Sequence, residues 1–181
     1  MATKKSRFAA IATAEVYESG KFFELGEHEV EIEKVILKNT RKSGEQMIFE
    51  TRVLASKNPD GTECAALGQK RTIMVSMQKT DTAFNNLLEI VAALFGVDKG
   101  DKEKIHAIRE NAADILDDAV DEDTDNENAQ VLKGYRAHVS CVPYTTKPAP
   151  GAPNGKEITL CRWSPVSAEF GPSDPSERKA A

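Results

Sequence analysis

Apolar and polar residues alternate with a strand-like period across residues 26–54, GEHEVEIEKVILKNTRKSGEQMIFETRVL. Val30, Ile32, Val35 and Leu37 mark one run, and Met47, Phe49 and Val53 mark a second. The basic stretch Asn39-Thr40-Arg41-Lys42-Ser43-Gly44 joins them, so the pattern predicts a β-hairpin. The apolar phase slips between Ile32 and Val35, which predicts an extra residue near Glu33 or Lys34 and hence a bulge that coils the first strand. A first strand coiled in this way points to a small closed barrel.

Upstream, residues 1–25 read as a lead-in with a short helix over 9–17, and Phe22 or Phe23 is expected to cap the core. Downstream, Asn58-Pro59-Asp60-Gly61 is a turn with proline at its second position. A third strand is predicted over 69–77, where Arg71, Ile73, Val75 and Met77 share one parity, with Arg71 expected at a rim. The period then changes to about 3.6. Phe84, Leu87, Leu88, Val91, Leu94 and Phe95 form a helical stripe, with Thr80 or Asp81 as N-cap and Gly96 as the stop. A second helix is predicted over 102–119, carrying Ile105, Ile108, Ala112, Ile115 and Leu116, and its acidic end opposes the helix dipole and should fray.

Strand character returns over 133–143, with Tyr135, Ala137, Val139 and Cys141 on one face. After the loop TTKPAPGAPNG, the last strand is predicted over 157–163, with Ile158 and Leu160 inward and Thr159, Cys161 and Trp163 on the other face. The Pro- and Ser-rich residues 167–181 read as a disordered tail. The order β-β-β-α-(α)-β-β predicts a mainly β domain over 26–166: an OB-fold five-stranded barrel, a helix between strands 3 and 4, and an inserted second helix and acidic loop over 99–128. The rival solution is an open antiparallel sheet with both helices packed on it.

The runs GEHEVEIEKVILKNTRKSGEQMIFETRVLAS, TAFNNLLEIVAALFGV, VLKGYRAHVSCVP and KEITLCRWSPV together resemble phage-encoded OB-fold single-stranded-DNA-binding proteins, a group that includes domains of unknown function. The similarity spans about residues 22–166 and rests on element order and a loose pattern. It implies an OB barrel, a role in phage DNA replication or recombination, and residence in the bacterial host cytoplasm. Residues 99–128 look like an insertion relative to that pattern.

Composition supports a globular chain: of 181 residues, 40% are hydrophobic and 29% charged. The longest purely apolar run, residues 90–95, is too short to span a membrane. Lys4, Lys5 and Arg7 before FAAIATA imitate a secretory signal, but the apolar part is short and mostly alanine. Cys64, Cys141 and Cys161 are an odd number without scaffold spacing, so a reducing, cytoplasmic setting is expected. The net charge of −5 is uneven: residues 110–128 hold nine acids and no base, leaving 20 acids against 24 bases elsewhere. A polyanionic partner is therefore compatible with the remainder of the chain.

No enzyme signature emerges. Gly151-Ala-Pro-Asn-Gly155-Lys156 is one residue short of a phosphate loop and has Glu157 where a hydroxyl should hold magnesium. Asp121-Glu122-Asp123-Thr124-Asp125-Asn126 begins like a calcium loop but lacks the glycine at the sixth position and the glutamate at the twelfth. His138 and Cys141, three apart, point to opposite strand faces, which argues against a metal site with Cys161. No cofactor or metal is expected.

A distributed basic surface remains. In an OB barrel the groove for single-stranded nucleic acid crosses strands two and three between the first and last hairpin loops, where phosphates need cations and bases need flat side chains. Those places hold Arg41 and Lys42 in the first loop, Arg52 and Lys70 outward on the strands, and Tyr144, Lys147 and Lys156 in the last hairpin. Arg162 and Trp163 follow at the far edge. Arg41 and Lys42 serve equally well as solubilising turn residues, and Trp163 either faces outward or fills the barrel end. The expected function is sequence-tolerant, non-enzymatic single-stranded-DNA binding, with replication or recombination proteins as further partners and self-association compatible with it. The acidic segment 114–127 would compete for the groove or contact a partner. The alternative is an OB-fold protein-interaction module that inhibits or scaffolds a host or replication factor without binding DNA.

Overall fold

The alternating run at the start of the domain forms one long strand, β1 (Gly26–Thr40), which pairs on both sides and sits at the centre of the sheet. A computed structural model describes residues 22–40, 44–63, 67–78, 80–121, 129–148 and 154–166. Further elements are β2 (Gly44–Lys57), β3 (Lys70–Ser76), α1 (Thr80–Leu94), α2 (Lys102–Val120), β4 (Arg136–Thr145) and β5 (Glu157–Ser164), in the predicted order. Every strand pair is antiparallel and the sheet order is β3-β2-β1-β4-β5. The expected helix over 9–17, Arg41 and Lys42, Cys64, most of the acidic run and the tail lie outside the described residues.

The predicted bulge is present. Ile32 faces Thr51 and Lys34 faces Glu50, so Glu33 is the extra residue on β1. A second shift, unforeseen in the sequence, lies between Glu29 and Val30, where Leu54 is extra on β2. Two bulges in one pair bend and coil it. In sheet order β2 and β5 stand three spacings apart, about 14 Å in a flat sheet. The rings of Phe49 on β2 and Trp163 on β5 nevertheless lie with centroids 6.3 Å apart. The sheet therefore curls around its core, which collects Val30, Ile32, Val35, Phe49, Val53, Ala137, Val139 and Trp163.

The curl stops short of the predicted barrel. β3 and β5 are the two edges, and among the described residues they do not pair with each other. Helix α1 contacts β3, β4 and β5, and its Glu89 Oε1 accepts the Trp163 N–H at 3.0 Å. The helix thus takes a donor on the β5 edge that a closing strand would otherwise bind. The result is a mainly β domain, an open five-stranded antiparallel sheet with two helices.

Helix α1 buries Ala83, Leu87, Ile90, Val91 and Leu94, whereas Phe84 and Phe95 from the predicted stripe are exposed. The buried face is rotated toward Ala83 and Ile90, whose small and branched side chains fit the closely approaching sheet. Its end matches expectation: Gly96 has φ 73°, its N–H donates to Ala93 O, and the Val97 N–H donates to Ala92 O, the bond pattern of a Schellman motif. Helix α2 starts at Asp101, whose carboxylate accepts the Lys104 N–H at 3.2 Å. Beyond it, Gln130 docks on β1, accepting the Val35 N–H at 2.9 Å and donating to Val35 O at 3.0 Å. The amide so extends the ladder of β1 where β4 no longer runs alongside. No helix among the described residues is long and apolar enough to cross a membrane.

Gly26, where β1 begins, has φ 131°, and a Cβ there would stand 2.1 Å from Lys57 O. Gly26→Ala is expected to cost about 2–4 kcal/mol through backbone strain and steric overlap. A urea titration should show a lower midpoint with an unchanged slope.

Candidate nucleic-acid interface

The β4–β5 hairpin builds the surface best suited to a flat ligand. Its loop end is pinned by reciprocal bonds: the Thr146 N–H donates to Lys156 O and the Lys156 N–H to Thr146 Oγ1, both at 2.9 Å. A Cβ on Gly155 would fall 1.7 Å from Thr146 O, so the close approach of the strands requires glycine there. Tyr144 faces Ile158 and Val142 faces Leu160 across the pair. These four share one side of the hairpin, and Tyr144 (46%), Val142 (43%) and Ile158 (39%) stay exposed. Lys147 and Lys156 flank them, both exposed and with no ion pair among the described residues. Arg162 continues the row opposite Ser140, with its Nη1 3.6 Å from Glu89 Oε2. An exposed aromatic ring thus sits on an apolar platform bordered by cations.

The other predicted site residues are placed differently. Arg52 Nη2 donates to Glu31 Oε1 at 2.7 Å and its Nε lies 3.8 Å from Glu33, while Lys70 Nζ lies 3.0 Å from Glu33 Oε2. Arg136 Nε donates to Glu31 Oε2 at 3.3 Å. Glutamates on β1 therefore share these outward cations. The sequence contained the signal, because Glu31 falls opposite Arg52 in the hairpin register.

Trp163 is buried, 6% exposed, against Phe49. The predicted faces of β5 are reversed: Cys161 and Trp163 face inward, and Ile158 lies outward. The reason is register, since Trp163 faces Val139 and Cys161 faces Cys141, both on the core side of β4. Arg71 is buried at 2% exposure rather than at a rim, donating to Glu24 Oε1 at 2.9 Å and Gln69 Oε1 at 3.0 Å. Burial of a guanidinium requires such partners.

One feature went unrecognised in the sequence. A cleft of about 670 Å³ opens between the β3 and β5 edges, lined by Phe22, Met74, Ile158 and Trp163 with Lys156 at the side. Phe22, 61% exposed, offers a second aromatic face beside it, while Phe23 caps the core. Cys141 and Cys161, weighed in the sequence only as partners of His138 in a metal site, face each other directly in the β4–β5 register. His138, by contrast, faces away from Cys141, with Nδ1 3.1 Å from Ser164 Oγ and Nε2 2.9 Å from Glu27 Oε2. Among the described residues no group of three or more His, Cys, Asp or Glu stands in metal-binding geometry.

No protein-family model matches the chain, and no curated protein matches it.

Burial raises the Glu29 carboxyl above its ordinary value, and the Arg136 charge offsets this only in part. The folded state therefore holds this proton more tightly than the unfolded chain, so the associated stability is present below the ordinary carboxylate range and is lost as pH rises through the raised value. Glu29→Gln, uncharged throughout, is expected to be more stable than the parent at neutral pH and to lose that advantage in acid. Urea denaturation at the two pH values checks this.

Proposed function

We propose that the chain is a non-enzymatic, OB-like protein that binds single-stranded DNA with little sequence preference. The observation that carries this reading is Tyr144, exposed on the apolar platform of the β4–β5 hairpin, with Lys156 diagonal to it in the register and the exposed Lys147 just past the end of β4. Single-strand binding asks for this combination, because every base has a stackable face and every linkage a negative charge. Architecture adds support: the sheet curls, its first strand is central, the β1–β2 pair carries two bulges, and α1 lies between strands 3 and 4 at the open edge. A curled five-stranded sheet left partly open is compatible with an OB barrel. The cleft beside Phe22 extends the same surface. A role in phage DNA replication or recombination follows from the resemblance and stays part of the proposal.

The ion pairs relocate the site. Arg52 and Lys70 already have Glu31 and Glu33 as partners, so a phosphate would have to displace a carboxylate there. Lys147 and Lys156 have no such partner among the described residues, and Arg162 has only the longer 3.6 Å contact with Glu89 to give up. Three phosphate contacts predict that log K falls with log salt at a slope of about −2. The same pairing favours a second reading, a protein-interaction module, because it leaves the β1–β3 face near neutrality and the hairpin's apolar side exposed.

Fluorescence anisotropy with labelled oligo-dT, a matched duplex and a salt titration distinguishes the two. Tyr144→Ala should weaken oligo-dT binding roughly 5- to 100-fold, the loss of one stacked base. Lys147→Ala with Lys156→Ala should flatten the salt slope by about 1.4. Binding to duplex as strong as to oligo-dT, or no binding at low salt, would overturn the DNA reading and leave the interaction module.

A further inference from the structure

Cys141 on β4 and Cys161 on β5 are directly opposite each other, with both thiols free and their Sγ atoms 3.0 Å apart. Their pairing type can be read from the ladder. Thr146 N–H donates to Lys156 O, and hydrogen-bonded pairs recur at every second position, so the even-numbered residues of β4 make those pairs. Cys141 and Cys161 therefore form a non-hydrogen-bonded pair. The Trp163 N–H agrees: it points off the β5 edge to Glu89, as the N–H of such a pair must. Non-hydrogen-bonded pairs hold their Cα atoms about 4.5 Å apart, inside the roughly 4.4–6.8 Å that a disulfide spans. Cys141 is buried at 2% exposure, whereas Cys161 is partly exposed and lines the cleft between β3 and β5.

We propose that Cys141 and Cys161 are a cross-strand dithiol that exchanges with low-molecular-weight disulfides of the glutathione class and closes to an intramolecular disulfide. The Cys161 thiolate attacks one sulfur of the small disulfide, whose S–S bond breaks as a mixed disulfide forms on Cys161. The departing half takes up the proton that Cys161 released. The Cys141 thiolate then attacks the Cys161 sulfur, and the second half leaves with the proton from Cys141. The protein loses two protons and two electrons, and the small disulfide becomes two thiols.

The order of attack follows from access and from the thiol–thiol contact. The hydrogen bond from Cys141 lowers the Cys161 thiol below its ordinary value. That same contact, together with burial and the nearby charge of Glu27, raises Cys141. Cys161 is thus the entry point and Cys141 the resolving thiol. Closure ties the β5 edge strand to β4 beside the cleft.

The test uses the full chain with Cys64→Ser, so that only this pair remains. After incubation with oxidised glutathione, intact mass with iodoacetamide should show the loss of two hydrogens and no alkylation, reversed by dithiothreitol. The thermal midpoint should rise by roughly 5–10 °C on closure. A persistent glutathione adduct, two alkylated thiols or a disulfide-linked dimer would overturn the proposal. Adding Cys141→Ser should stop the reaction at one glutathione on Cys161, and Cys161→Ser should leave the protein unmodified. The Cys64→Ser result decides the matter even if either further variant fails to fold.

Discussion

Phe49 packing on Trp163 across the inside of the sheet is the contact from which the remaining geometry follows. It joins strands that are not neighbours, and it requires the sheet to curl until β2 and β5 face each other. The curl is written into β1, whose bulge at Glu33 and whose pairing partner's extra residue at Leu54 both add twist. Removing a buried phenylalanine from such a site typically costs about 3–5 kcal/mol. The position of the β4–β5 hairpin depends on the same contact, because an edge strand has only one neighbour to hold it in register.

That dependence explains why the candidate interface lies where it does. With Trp163 and Cys161 drawn inward, the alternate residues of β5 must point out, and Ile158 joins Tyr144 and Val142 as exposed apolar surface. Tying Trp163 to the helix through Glu89 leaves the sheet open at that edge, and the opening becomes the cleft beside Phe22. One packing decision thus sets the fold, the open edge and the platform. The electrostatics add a separate constraint: the β1 glutamates occupy Arg52, Lys70 and Arg136 on the neighbouring strands, whereas Lys147 and Lys156 of the hairpin have no ion pair among the described residues.

Much of the fold was legible in the residues. The element order, the bulge at Glu33, the inward Phe49 and Val53, and the Gly96 stop all rest on local periodicity or on residue-specific backbone chemistry, which a sequence displays directly. The errors concern relations between distant segments. The closed barrel failed because periodicity does not reveal whether β3 and β5 meet or whether a helix stands between them. The faces of β5 were inverted because Ile158 and Leu160 look more like core than Cys161, and only the register with β4 shows otherwise. Arg71 was expected at a rim because its buried partnership with Glu24 spans 47 positions. Of the candidate site, Tyr144, Lys147 and Lys156 were visible as loop chemistry, whereas the neutralisation of Arg52 and Lys70 depends on glutamates in another strand.

The central claim is that the outer side of the β4–β5 hairpin is where a single strand lies, with a base on Tyr144. Photo-crosslinking of 5-iodouracil-substituted oligo-dT, followed by peptide mapping, tests it without relying on any substitution. The account predicts that the dominant crosslink falls on Tyr144. A dominant crosslink in a peptide remote from this hairpin and its neighbouring cleft, or none under conditions where the oligonucleotide is bound, would contradict it.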